Sequence, residues 1–496
     1  MLKADLEKIV TSLSAIERKS FRIHYKHQSG DGKYGELFEM YLSAISGKAA
    51  AETSFRIKYP TTSFDNTAAY LFKVLTEMLT MGRIQQDPWF GQLFSVMKAK
   101  LFTERSMPER ALKELRRTQH QAENSEDHLL SYLCSRIELS QLARVGFANM
   151  TQQELIDFQM RGKQSLQVLR QIHEHHSLYE ILSHKLLNKG ITVNEEDNLD
   201  DLVLSELGII TRGSSHRFES KKLHLLFQAY FFIHKSEYSA ALELFKKLNT
   251  LMEGNESILD FPPYDYLDTL DGILNSLFQI RYFDEMQYFI SKIEGLLSKN
   301  YPEHFLNMAD QMMAMFQMSI IIGESNYAKA IEFHDTIRKK GRLNDIAISP
   351  EKNITYYFQV AIAYFKLKKI KSAKENILKA INIGRYQMDL LIFRACWLFQ
   401  MVLYAESGDN EFISYEIRAY KRAFSGKSKI IIPFERFLFE VMLVDIKSNS
   451  RASNRGLTMK INEGLDGLET TPSQLKLLQY FDFIEWIHDH LSLSRK

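Results

Sequence analysis

Cysteine, proline and net charge are all scarce in this chain, and each scarcity removes a class of protein. Only two cysteines, Cys134 and Cys396, occur in 496 residues. They lie far apart in apolar, helix-patterned surroundings, so neither a disulfide framework nor a thiolate metal cluster can be built from them. Buried, reduced thiols are expected. The 9 prolines and 22 glycines leave most of the sequence free to run as uninterrupted helix. With 63 basic residues against 61 acidic ones the formal charge is +2, which creates no global field for nucleic acid or an anionic membrane. No apolar run approaches the ~18 residues that cross a bilayer, and the start MLKADLEKIV lacks an apolar leader core. A cytoplasmic protein is the expectation. Also missing are the phosphate-cradling GxxxxGK(S/T) and GxGxxG patterns, the GxSxG elbow and the HExxH metal helix. The chain is therefore expected to be no enzyme and to need no cofactor and no metal.

What is present is helical patterning. Hydrophobic residues make up 45% of the chain and aromatics 12%, ample for a continuous core. From Tyr356 to Asn382, Tyr357, Val360, Ala361 and Tyr364 recur on one helical face. After the basic break Lys366 to Lys369, Ile370, Ala373, Ile377 and Ala380 do the same. Two amphipathic helices folded back on each other result, with Ala361 and Ala373 small where the backbones come closest. Tyr238, Phe283, Tyr327 and Phe412 match Ile370 as anchors of further copies, at spacings of roughly 45, 44, 43 and 42 residues. A near-constant period of this kind marks a stack of helix pairs. Pro108, with Ala111 and Leu115 behind it, extends the anchors upstream. The alternation of large and small residues resembles the tetratricopeptide repeat, whose standard period is about 34 residues, so each helix here should run about a turn longer.

The amino-terminal stretch has no copy of the repeat. Ser14-Ala15-Ile16-Glu17 is a capping box at a helix start. Helical stripes follow over Tyr34 to Ile45 and Asn66 to Leu79, the first after a loop at Ser29 to Gly32. The pieces SLSAIERKSFRIHY, YGELFEMYLSAI and FDNTAAYLFKVLTEML, in this order and ahead of helix pairs, resemble the front of a family of uncharacterised bacterial tetratricopeptide-like proteins of about 500 residues. The resemblance implies a fold and no activity.

Other features have bland readings that outweigh the sharp ones. His173-Glu174-His175-His176 offers two imidazoles on one turn, but no further metal ligands stand near in sequence. Met308, Met312, Met315 and Met318 form one helical stripe suited to filling core space. Phe261-Pro262-Pro263-Tyr264 reads as a loop between helices. The first ~117 residues carry a net charge of about +6, yet Asn66 to Leu79 holds only Lys73 where a DNA-reading helix would need several polar side chains.

These readings add up to an all-α protein: a right-handed α-solenoid of tetratricopeptide-like hairpins with an amino-terminal helical module. The expected segments are that module over 1–88, degenerate hairpins over 89–205, the clearer solenoid over 206–428 and a helical cap over 429–496. A bend is expected between Lys189 and Glu219, a polar linker over Ser448 to Gly456, and a closing helix pair over Leu457 to Leu468 and Gln474 to Leu491. In such a hairpin the first helix lines the concave groove. The resemblance therefore implies that Tyr230, His234, Asn275, Gln279, Ser319, Lys366, Gln400 and Tyr404 form an inner face for a protein or peptide partner. Nucleic acid and membrane are not the expected partners. A ligand-sensing transcriptional regulator, with DNA-binding amino-terminal helices and a peptide-binding repeat domain, is the alternative.

Overall fold

A computed structural model describes residues 2–27, 32–45, 50–147, 150–188, 200–212, 217–235, 237–339, 350–385, 390–424, 431–447 and 477–493. The loop at 29–31, much of the expected bend (189–199 and 213–216), the linker 448–456 and the helix Leu457 to Leu468 lie outside the described residues. Among the described residues the regular structure is helical, without a strand. The chain forms two compact units.

The first unit comprises residues 1–173 together with 254–265 and 300–306. It opens with five helices: α1 (Leu2–Ser12), α2 (Ala15–His27), α3 (Lys33–Ile45), α4 (Ala51–Lys58) and α5 (Phe64–Gln86). The expected capping box forms: Ser14 N–H donates to Glu17 Oε2 at 2.8 Å, and Glu17 N–H donates to Ser14 Oγ at 3.2 Å. Leu6, Phe21, Phe38, Phe55 and Leu71, all fully buried, make one core. Next come α6 (Pro88–Glu104), α7 (Pro108–Asn124) and α8 (His128–Arg144), with α7 packed on both neighbours. Ala99, Ala111, Ala122 and Cys134 are fully buried between them, and burial pushes the Cys134 thiol up to about 11. α9 (Gln152–Asn188) is one continuous helix of 37 residues, which is why the period is lost there.

The second unit comprises residues 174–253, 266–299 and 307–496. Besides the end of α9 it draws on α10 (Asp200–Arg212), α11 (Phe218–His234), α12 (Tyr238–Glu253), α13 (Tyr264–Gln279), α14 (Phe283–Leu297), α15 (Glu303–Gly323) and α16 (Tyr327–Lys339). There follow α17 (Pro350–Lys366), α18 (Ile370–Gly384), α19 (Leu391–Glu406), α20 (Asn410–Ala423), α21 (Pro433–Lys447) and α22 (Phe483–Leu493). Adjacent helices pack on each other, notably α11 on α12 and α17 on α18. Met312, Met315 and Met318 are buried, filling core as their stripe suggests. Four anchors of the sequence repeat, Tyr238, Phe283, Tyr327 and Ile370, are the first residues of α12, α14, α16 and α18.

One turn recurs between helices. Ser106, Glu126, Arg281, Ser325, Lys368 and Gly408 each stand two residues before a new helix with φ between 54° and 74°. The residue after each donates its N–H to a carbonyl five positions back, as Met107 to Phe102, Tyr282 to Leu277, Lys369 to Tyr364 and Asp409 to Tyr404, at 2.9–3.0 Å. This is the left-handed helix stop that satisfies orphan carbonyls, and only at Gly408 does it use glycine. Closeness is enforced elsewhere by Gly272 of α13: a Cβ there would stand 2.4 Å from the ring of the fully buried Phe245 on α12.

Two sets of substitutions test this local account by chemical denaturation. Arg281→Gly and Ser325→Gly, which remove a Cβ from left-handed backbone, should each raise stability by about 0.5–1 kcal/mol, whereas Gly408→Ala should lower it by about 1 kcal/mol. Gly272→Ala should cost roughly 1–3 kcal/mol, because the Phe245 ring has nowhere to go.

Candidate functional site

The carboxyl-terminal segment does not simply cover the last helix pair. Within the second unit, residues 477–493 bond to helices far apart in sequence. Tyr238 at the start of α12 donates to Gln479 Oε1 at 3.5 Å, and Lys366 at the end of α17 meets Glu485 at 2.6 Å. Trp486 Nε1 donates to Glu406 Oε1 at the end of α19 at 2.9 Å, with His490 Nδ1 3.4 Å from the same oxygen. Phe481 packs against Phe365 and Phe399 with ring centroids 5.9 and 4.8 Å away, and Phe483 reaches Phe434 of α21 at 6.0 Å. Leu477, Phe483 and Ile487 are fully buried. The hydrogen bond from His490 holds the Glu406 carboxyl below its ordinary range despite burial, and the indole N–H adds to the effect. Residues 477 and 478 are helical and a further helix runs over Phe483–Leu493, while Gln474, the expected start, lies outside the described residues.

The sequence-predicted residues all belong to the second unit but differ in setting. Tyr230 packs its ring between Tyr179 and Phe245, with centroids 5.8 and 5.9 Å away, and burial pushes its hydroxyl well up. Ser319 is 2% exposed and accepts a hydrogen bond from Gln359 Nε2 at 2.8 Å, which joins α15 to α17. Gln400 is also buried and donates to the Tyr404 hydroxyl at 3.3 Å. Tyr404 stacks on Phe412 and carries Lys374 Nζ 4.7 Å above its ring. His234, Asn275 and Gln279 are half-exposed, and Lys366 is bonded directly to Glu485 of the carboxyl-terminal segment. Ser319 with Gln359, Gln400 with Tyr404, and Lys366 with Glu485 are thus the local constellations.

Other polar groups converge without any signal in the spacing of the sequence. Lys352 Nζ of α17 sits 2.9 Å from Asp271 Oδ1 of α13. Neighbouring Glu351, which keeps an exposed edge, is crowded by protein and by Asp271, and both push its carboxyl up. Around the buried Glu206, His224 Nδ1 lies at 2.7 Å and His175 Nδ1 at 3.4 Å. Burial works to raise this carboxyl, but the hydrogen bonds of the two imidazoles leave it lowered. Within the predicted His173 to His176 cluster, His175 is therefore engaged with Glu206. Among the described residues no group of three or more His, Cys, Asp or Glu is arranged to hold a metal ion. Glu435, fully buried, accepts from the Tyr420 hydroxyl at 2.6 Å and pairs with Arg394 at 3.3 Å, locking α19, α20 and α21 together.

Unfolding measurements separate the apolar and polar parts of the carboxyl-terminal attachment. Trp486→Ala should cost about 3–5 kcal/mol, as expected for a buried indole. Lys366→Ala should cost less than about 1 kcal/mol, since its ion pair is open to water. A pH series tests His334, whose Nδ1 lies 3.1 Å from the Tyr356 hydroxyl; burial, and then Lys379, push its imidazole down from 6.5 to about 4. The folded state resists the proton that the unfolded chain accepts, so this contribution is full above pH 6.5 and is lost as pH falls toward about 4. The loss should be on the order of 3 kcal/mol, and His334→Gln should flatten the slope across that window.

Among the described residues no helix is long and apolar enough to cross a membrane. No protein-family model matches the chain, and no curated protein matches it.

Proposed function

We propose that this is a non-enzymatic scaffold or adaptor whose helix pairs stack as a right-handed, tetratricopeptide-like solenoid and bind a protein or peptide segment on the face of their first helices. The observation that carries the reading is the seating of residues 477–493. A chain segment with four aromatics in seven residues, Tyr480 to Trp486, fills aromatic sites at α17, α19 and α21 and is tied by charged and hydrogen-bonding groups at the ends of α17 and α19. A face that holds one segment by side-chain stacking and rim polar contacts has the chemistry to hold another. The regulator reading draws less support. Lys3, Arg22, Arg56 and Lys58, which contribute to the basic excess of the amino-terminal helices, are engaged by Glu52, Glu39 and Glu36. Cations already paired are poorer phosphate ligands.

Affinity capture from an extract of the native host tests the scaffold reading. The wild-type chain should recover a protein that Asn275→Ala/Gln279→Ala/Tyr404→Ala recovers at least about fivefold less, the variant's unfolding curve showing it still folded. Equal recovery of the same proteins by both would remove these residues from the binding face.

A further inference from the structure

In the first unit, α6 and α8 flank an open groove of about 610 Å³, backed by α7, which packs on both. Its floor is apolar: Val96, Met97 and Ile137, with Met97 67% exposed, and Leu133 of α8 also stands 40% exposed. Its polar lining includes Lys100, Arg136 and Arg144 against the single carboxylate of Glu104. Among the described residues none of these three cations has an ion-pair partner. Their neighbours behave otherwise, since Lys98 is paired with Glu114 and Arg116 with Glu138. One further group lacks its complement. Gln141 lines the groove at 9% exposure and donates its Nε2 to Thr103 Oγ1 at 2.7 Å, while its Oε1 is buried with no hydrogen-bond partner. A buried acceptor left unsatisfied costs free energy.

We infer that this groove is a docking site for an acidic amphipathic helix of a partner protein. The occupant's apolar stripe lies on Met97, Val96 and Ile137, and its carboxylates meet Lys100, Arg136 and Arg144. Unpaired cations around an apolar floor match a helix that carries carboxylates beside a leucine stripe. A phosphate backbone would leave that floor without a complement. The inference deepens the scaffold reading and rests on it, while naming a different face and the chemistry of its occupant.

A fluorescein-labelled synthetic helix of roughly 16 residues, with leucines at helical spacing flanked by glutamates, is titrated with the full-length chain and followed by anisotropy. A second peptide carries lysines in place of the glutamates. The wild type should bind the acidic peptide and prefer it over the basic one. Lys100→Glu/Arg136→Glu should weaken the acidic peptide by about tenfold or more and gain affinity for the basic one. Arg110→Glu, an exposed reversal on α7, should leave both titrations as in wild type. The inference is overturned if the wild type fails to bind the acidic peptide, if the double reversal retains it within about twofold, or if a single-stranded oligonucleotide displaces it through the same residues with higher affinity. Peptide failure alongside host-extract capture that still depends on Asn275, Gln279 and Tyr404 would remove this groove and keep the scaffold reading. Charge-inverting peptide binding with capture indifferent to those three residues would keep the groove and remove the second-unit face.

Discussion

A helix that is apolar on all sides has to be covered on all sides, and α17 and α19 impose that requirement on the second unit. Eleven of the 17 residues of α17 and eleven of the 16 in α19 are buried. In α18, by contrast, burial is confined to five of 15, the single stripe of an amphipathic helix. Neighbouring helices cover one side of α17 and α19. Around Phe365 and Phe399 the cover is Phe481 of the carboxyl-terminal segment, with Phe483 packed behind it against Phe434. Removing water from these rings supplies most of the attachment energy, because the polar contacts at its edge remain partly solvated.

That division of labour explains the arrangement of charge. Where groups are fully enclosed, as with Glu435, Arg394 and Tyr420, opposite charges and a hydroxyl stand together, since an uncompensated charge at such depth would be costly. Where groups stand at helix ends, as with Lys366 and Glu485, the pair orients the segment more than it stabilises it. The groove between α6 and α8 follows neither pattern. Its cations stand without opposite charge over an apolar floor, a combination that folding alone does not require.

Helix placement was written plainly in the sequence wherever a period could be followed. Tyr238, Phe283, Tyr327 and Ile370 each open a helix with a large residue where the chain leaves the turn and begins to pack, and Pro108 opens one because its fixed φ and missing N–H suit the first helical position. The turn itself was invisible, since five of its six left-handed positions carry Ser, Glu, Arg or Lys where glycine would have announced it. The period failed across α9 because a continuous 37-residue helix has no turn to repeat. The candidate face was less legible. Register alone could not show that Ser319 and Gln400 are committed to neighbours inside the fold, or that Lys366 already holds Glu485. Those partners lie 40 or more residues away in two of the three cases, beyond any local pattern. The density of aromatics from Tyr480 to Trp486 was the available signal for the segment that sits there.

The central claim is that residues 477–493 lie against α17 and α19. Zero-length carbodiimide coupling of the unmodified chain, followed by peptide mass spectrometry, tests it directly, because Lys366 Nζ and Glu485 Oε2 are 2.6 Å apart. Lys246 and Glu285, also 2.6 Å apart between α12 and α14, provide the internal reference. The account predicts both isopeptide links in the monomer. A Lys246–Glu285 link without a Lys366–Glu485 link would contradict it.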